Sequence, residues 1–416
     1  MALNHHQFVG MVDALSRVLV FDRPADALMS AFFRQHRKLG AGDRFIINEA
    51  VFTVLRHYYF LSALLAPDEV TPRRLAIAAL LRVCDHDIDE VSRHLDEEEK
   101  PFATSLMARN PERGLAAQTE LPEWVIEKLA WPKEALLALG HSLQQKAPLD
   151  LRVNTVKGKR KKILAQLAEQ GITASETPWS PIGIRLTEKI QLQTHPLYTS
   201  GLIEIQDEGS QLLGLLVGAK RGQMVADFCA GAGGKTLQLA SAMANTGYLY
   251  AFDVSDSRLK KLTPRLKRAG VSNVYSIAVA HENDARIKRL YGKMDRVLVD
   301  APCSGLGTLR RHPDIKFRQS PQSVKAFNKT QAAILASAAQ LLTPGGRLVY
   351  ATCSLLADEN EHIVEAFLEK HAQYSLMPVK DALPKKVGID AGDYLQLLPH
   401  VHNTDGFFAA VIVRQS

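Results

Sequence analysis

The chain has 416 residues, enough for two or three domains, each with its own core. Its 46% hydrophobic and 23% charged residues are those of an ordinary globular protein and exclude a disordered or fibrous one. With 51 Lys and Arg against 44 Asp and Glu, the formal charge of +7 suits nucleic acid or another anionic surface without requiring one.

The chain opens on "MALNHHQFVGMVDALSRVLVFD", which lacks the basic-then-apolar order of a secretory signal. No apolar run approaches the ~20 residues that span a bilayer. The expectation is a soluble cytoplasmic protein with no membrane partner, acting as a monomer. The first third reads as helix. "GDRFIINEAVFTVLRHYYFLSALL" spaces Phe45, Ile46, Ala50, Val54, Tyr58 and Leu61 as one apolar helix face. "TPRRLAIAALLRV" repeats the pattern, with Thr71 as N-cap and Pro72 at the first helical position. "ELPEWVIEKLAW" gives a further short helix. An all-helical domain over 1–147 is predicted.

Between 148 and 219 the texture changes to a small α/β subdomain. "DLRVNTV" and "GIRLTE" read as strands around a helical "KKILAQLAEQG", with Gly171 as its stop. Arg152, Lys157, Lys159, Arg160, Lys161 and Lys162 give this segment a basic edge. Such an edge is commonly a solvated helix start, but beside a catalytic domain it can meet phosphates.

From 220 to 416, "MVADF", "GYLYAFDV", "VYSIAVA", "DRVLVDAP" and "GGRLVYATC" are short apolar runs, most of them separated by helical stretches at 236–243, 257–269, 323–342 and 358–370. That alternation predicts an α/β, Rossmann-like, doubly wound parallel sheet. "LQLLPHVHNTDGFFAAVIVRQ" adds a closing antiparallel strand. In it, His400 and His402 read as structural.

"DFCAGAGGKT" poses the first chemical question. A triphosphate loop reads G-x-x-x-x-G-K-[ST], yet Cys229 holds the place of its first glycine. The alternative is the first βα turn of a nucleotide-binding sheet, where Gly231, Gly233 and Gly234 let backbone approach a ligand at a helix N-terminus. Asp253 ends the next strand, where an acid commonly holds ribose hydroxyls. This pattern fits dinucleotides and S-adenosyl-L-methionine alike.

Four cysteines without a CxxC pair exclude a disulfide framework and a zinc site of ordinary spacing, so no metal is expected. Free thiols point to a reducing compartment. Cys84 falls within an apolar helical pattern and reads as a small buried hydrophobe. Asp300, Cys303 and Cys353 fall at strand C-termini, the rim where open parallel sheets bind ligands.

"DFCAGAGGKT", "DAPCSGLGTLRRHPDIKF" and "YATCSLLADENE" together resemble the RsmB/Sun family of RNA cytosine-C5 methyltransferases. The resemblance runs from "LRVNT" at about Leu151 through "IQDEGSQL" to "DGFFAA". The helical third is similar, more loosely, to the NusB-like RNA-binding domain of the bacterial 16S rRNA members. The resemblance implies a class I methyltransferase using S-adenosyl-L-methionine on RNA, with rRNA foremost and tRNA as the alternative. A non-catalytic RNA-binding factor is the competing reading from another class. The family pattern makes Cys353 the nucleophile, assigns Cys303 to elimination and release, and has Asp300 hold the cytosine ring. It places Cys229, Ala230, Gly231, Ala232, Gly233, Gly234 and Lys235 around the cofactor, with Asp253 at the ribose, Asp284 near the adenine and Asp300 at the same rim. Where the family usually has C-A-A-P-G-G-K-T, this chain has Gly231 and Ala232, so a softer loop is expected. Arg310, Arg311, His312 and Lys316 follow the catalytic loop and are expected to grip RNA phosphates, with a solvated basic turn as the alternative.

Overall fold

The computed structural model describes residues 3–188 and 190–416, which form two compact units. One comprises Met1–Lys146 with Thr308–Pro321, the other Ala147–Gly307 with Gln322–Ser416. The first is helical. Asn4 opens helix His5–Val18 with a reciprocal cap, its side chain accepting from the Gln7 amide at 2.9 Å while the Asn4 amide donates to Gln7 Oε1 at 3.0 Å. Thr71 caps Pro72–Arg82, with Pro72 at the first position.

The long apolar face foreseen over 45–61 divides into two helices, Ala41–Arg56 and Tyr58–Leu65, because the chain turns at His57 (φ −111°, ψ 26°). The buried stripe of the first is Ile47, Ala50, Val51, Val54 and Leu55, whereas Phe45 is 60% exposed. Two residues of helix rotate a side chain by about 200°, which sets Phe45 opposite Ile47. Cys84 also departs from expectation: it lies just past the end of Pro72–Arg82 and is exposed.

The segment Thr308–Pro321, assigned above to the catalytic domain, belongs to the helical unit. Phe317 stacks on Phe21 with centroids 4.3 Å apart and meets Tyr58 at 4.9 Å and Tyr59 at 5.7 Å. Lys316 is buried, its Nζ donating to Glu120 Oε2 at 3.0 Å, the Glu120 carbonyl at 3.1 Å and the Arg56 carbonyl at 3.2 Å. Glu120 also accepts from the Tyr59 and Phe60 amides at 3.0 and 2.8 Å, closing the start of helix Tyr58–Leu65.

The second unit begins with a four-stranded antiparallel sheet of β1 (Leu149–Val153), β2 (Ala174–Glu176), β3 (Gly183–Leu186) and β4 (Ile203–Ile205), in the order β2-β3-β1-β4. Helix Arg160–Glu169 packs on it and ends before Gly171, whose φ of +73° suits glycine. Lys159, Lys161 and Lys162 face solvent, but Arg152 is buried and donates to Gln206 at 2.5 Å, so it is no part of the basic edge. Burial pulls the Arg152 pKa down to about 10.

The remaining strands are β5 (Met224–Asp227), β6 (Tyr248–Asp253), β7 (Val274–Ala278), β8 (Met294–Asp300), β9 (Leu342–Thr352), β10 (Tyr374–Met377), β11 (Tyr394–Leu397) and β12 (Phe407–Arg414). They form one sheet in the order β10-β12-β9-β8-β5-β6-β7, with β11 paired to β12. β5 through β9 run parallel, and β12 runs antiparallel to β9, β10 and β11. Strand order reverses between β5 and β8, which opens a crevice at their C-terminal ends. Val297, Leu298 and Val299 in β8 are all buried, as a parallel strand covered on both faces requires. No helix among the described residues is long and apolar enough to cross a membrane.

Candidate active site

β5 ends at Asp227, and the chain bends through residues 228–233 before helix Gly234–Ala242 begins. Gly233 has φ +85°, and a Cβ there would meet Leu262 Cδ1 at 2.1 Å, so this position requires glycine. Gly231, at φ +55°, faces open space. Two hydrogen bonds tie the loop: the Gly231 amide donates to Asp253 Oδ2 at 2.8 Å, and Arg265 donates to the Ala232 carbonyl at 2.6 Å. Asp253 Oδ1 accepts from the Ser255 amide at 2.7 Å. Cys229 lies in this turn. Burial first, and then Asp227, Asp300 and Asp253, hold its thiol pKa well above the ordinary value.

Asp227, Asp253 and Asp300 end three strands around the crevice, and their charges act on one another. Burial pushes the Asp227 carboxyl up to about 7, against a 2.7 Å hydrogen bond from Thr236. Its Oδ1 is buried without a hydrogen-bond partner. Folding therefore lets Asp227 keep a proton that the unfolded chain loses near pH 4, and stability falls as pH rises from about 4 to about 7. Asp227→Asn removes that dependence. The protection of its β5 amides against hydrogen exchange should gain on the parent's from about pH 4 to about pH 7, and a difference that stays flat with pH would contradict the burial penalty.

Lys235 Nζ donates to Asp300 Oδ2 at 2.7 Å. Burial opposes the ammonium charge, but Asp300, by charge and hydrogen bond, and then Cys353 raise its pKa above the ordinary value. Cys353 thus lies within electrostatic reach of a fixed cation. The Lys235 Nζ is also 5.8 Å from the centre of the Phe407 ring.

β8 and β9 pair in parallel with Asp300 opposite Ala351, so the residues that follow emerge side by side. The Ala301 amide donates to the Ala351 carbonyl at 2.8 Å and the Gly307 amide to the Cys353 carbonyl at 2.9 Å. The Cys303 and Cys353 sulfurs are 3.4 Å apart. The hydrogen bond with Cys353, then burial, raises the Cys303 pKa well above that of an ordinary thiol. The loop after Cys303 is pinned from the other side by the Gly406 amide, which donates to the Gly307 carbonyl at 2.7 Å. A Cβ on Gly307 would meet the Gly406 carbonyl oxygen at 2.2 Å, so two backbones touch here without side chains.

Asp300, Cys303, Cys353, Lys235, the glycine turn and Asp253 therefore surround one crevice. Other expected site residues lie differently. Asp284 caps helix Ala285–Lys288: its oxygens accept from the Ala280 and Arg286 amides and from the Arg286 guanidinium at 2.9 and 2.7 Å. Hydrogen bonds from Arg286 and from those amides lower its pKa. Lys316 and Arg310 are buried, and Lys316 is committed to Glu120 and backbone carbonyls, so neither presents the charged face a phosphate grip needs. Arg311 and His312 are half-buried, with His312 Nδ1 3.0 Å from Asp26. His402 accepts the Leu398 amide at 3.0 Å, a structural role. Glu359 in "DENE" and Gly406 in "DGFF" carry no local signal of a site role, yet the structure brings both to the cysteine loops. Among the described residues, no group of three or more His, Cys, Asp or Glu side chains could hold a metal ion.

Residues 215–413 match the family described as 16S rRNA methyltransferase RsmB/F, and residues 121–193 match the ferredoxin-like domain of RsmF/B-like methyltransferases. The probable ribosomal RNA small subunit methyltransferase B of Synechocystis is 34% identical over 300 residues, covering 71% of this chain and 67% of its own. Ribosomal RNA small subunit methyltransferase B of Pseudomonas syringae pv. tomato is 32% identical over 422 residues, with 93% of each chain covered. Among solved structures, a methyltransferase homologue from Pyrococcus horikoshii aligns with a TM-score of 0.63 and 31% identity, covering 72% of this chain and 97% of that one. The protein PH0851 shares the fold at a TM-score of 0.81 and 24% identity, with 99% of both chains covered. Sequence and architecture agree that the chain belongs to the RsmB/F family of S-adenosylmethionine-dependent 16S rRNA methyltransferases.

Proposed function

We propose that the protein methylates C5 of a cytosine in 16S rRNA through a covalent bond between Cys353 and C6 of the base. The observation that carries this reading is the pair of sulfurs 3.4 Å apart at two neighbouring strand ends, beside the Lys235–Asp300 ion pair. C5 of cytosine is too weak a nucleophile to take a methyl group unaided. When Cys353 Sγ bonds to C6, the C5–C6 π pair shifts toward C5 and makes that carbon electron-rich. Loss of the C5 proton and departure of the Cys353 thiolate then restore the double bond. Cys303 sits 3.4 Å from the sulfur that must leave, a place from which it can accept the C5 proton as that thiolate departs, which suits the release stage. Asp300 retains an oxygen not bound to Lys235, with which to hold the ring at N3 or its amine.

The crevice suits S-adenosylmethionine on its own chemistry. When bound, that cofactor supplies an electrophilic methyl group on a sulfonium. Asp253 and Asp300 outweigh the single charge of Lys235 and favour a cation, Gly231 and Gly234 leave open space along the turn, and the Asp253 oxygens keep lone pairs for ribose hydroxyls. Residues 229–235, Asp253 and Asp300 would hold it. Asp284 is left out of this set because its oxygens are engaged by its own helix start and by Arg286. The target base must be unstacked to reach a thiol at its ring edge.

Purified protein with methyl-labelled cofactor should label 16S rRNA from a strain lacking the enzyme, and mapping should place 5-methylcytosine at a discrete site. Label confined to tRNA would overturn the substrate assignment, and label at another atom would overturn the chemistry.

A further inference from the structure

Cys303 and Cys353 stand on separate loops, yet their sulfurs meet at 3.4 Å. Backbone pairing fixes the strands beneath them, but the sulfurs lie beyond the last ladder contact. Immediately below is Glu359, fully buried. Its Oε1 accepts from the Ser304 amide at 2.8 Å and from Gln331 Nε2 at 3.1 Å. Its Oε2 accepts from the Ser304 hydroxyl at 2.5 Å and from the Ser354 hydroxyl. Gln331 Nε2 also donates to the Pro302 carbonyl at 3.0 Å. The residues flanking Cys303 and the residue after Cys353 thus converge on one carboxylate. Asn360 completes the frame: it accepts from the Thr352 hydroxyl at 2.5 Å and donates to the Ser354 carbonyl at 3.1 Å.

We infer that Glu359 is the positioning residue of the reaction, a buried clamp that joins Ser304 to Ser354 and thereby sets the separation of the Cys303 and Cys353 sulfurs. The inference rests on the reading of these cysteines as a reacting pair. A carboxylate is suited to this place because the four hydrogen bonds above all reach it as donors. Glutamine keeps the shape but turns an amide donor toward groups that also donate. Alanine leaves the donors without a common acceptor.

The test reads thiol proximity without RNA or cofactor. Diamide takes two electrons and two protons from a thiol pair as the sulfur–sulfur bond forms, so the rate of Cys303–Cys353 disulfide formation reports how often the sulfurs meet. In the full chain, Glu359→Ala and the milder Ser304→Ala should slow this bond at least about tenfold, with Glu359→Gln between them and the parent. Ser337→Ala, which removes a buried hydrogen bond to the Glu282 carbonyl elsewhere in the unit, should not change it. In methyl transfer, Glu359→Gln should lower kcat while KM for RNA stays within about twofold. Parent-like oxidation in folded Glu359→Ala, or in Ser304→Ala should the former fail to fold, overturns the clamp. Slowed oxidation in a protein that makes no 5-methylcytosine would instead sink the proposed reaction and leave the clamp standing.

Discussion

Cys353→Ala should abolish methyl transfer, by roughly 10⁴-fold or more, and should yield no covalent complex with RNA on a denaturing gel. Without the sulfur no bond forms at C6, and C5 stays inert however well the base is held. Cys303→Ala should behave in the opposite way on the gel. Cys353 can still add, but the sulfur beside it that serves release is gone, so protein–RNA adduct should accumulate while turnover falls. The contrast between the two variants is the sharpest test of the role assignment. An adduct that persists in Cys353→Ala would reverse the two roles.

The second large effect is on stability, at the ion pair inside the helical unit. Lys316 and Glu120 side chains are each only 3% exposed. Burial lowers the Lys316 pKa and raises that of Glu120, each partly offset by the partner. Glu120→Ala strands a buried ammonium and also deprives the Tyr59 and Phe60 amides of their acceptor. The expected loss is about 3–5 kcal/mol. Pairing it with Lys316→Met should recover a large part, since an apolar side chain has no charge to desolvate. With two compact units a single unfolding curve is a poor measure, so the check is amide hydrogen exchange at Tyr59 and Phe60. Exchange there should accelerate in the single variant and partly recover in the double. Unchanged protection in the single variant would mean that the pair contributes nothing.

Much of the fold was written in local signals. Thr71 before Pro72, Gly171 after a helical run and glycines after "MVADF" each act within a few residues, and each stands where the pattern put it. The sheet was legible for the same reason: strand and helix alternate at distances a pattern can span. What escaped depended on remote partners. Lys316 reads as a solvated base until Glu120, 196 residues away, is seen against it. Phe317 finds its aromatic neighbours in residues 21, 58 and 59. Glu359 hid in the acidic run "DENE", which reads as the polar opening of a helix, because its donors come from residues 304, 331 and 354. Cys84 and Phe45 were assigned by apolar spacing alone, and spacing is blind to where a helix stops or which side of it faces water.

The position of β12 carries a consequence for how the enzyme comes into being. This strand follows every other strand of its sheet in the sequence, yet it lies between β9 and β10. Just ahead of it, Gly406 locks onto the loop that carries Cys303. A nascent chain lacking these residues has β9 with an open edge and its thiol loop unbraced, however complete the cofactor turn already is. Chemical competence should therefore switch on late, when the interior strand slots home and Gly406 braces the thiol loop.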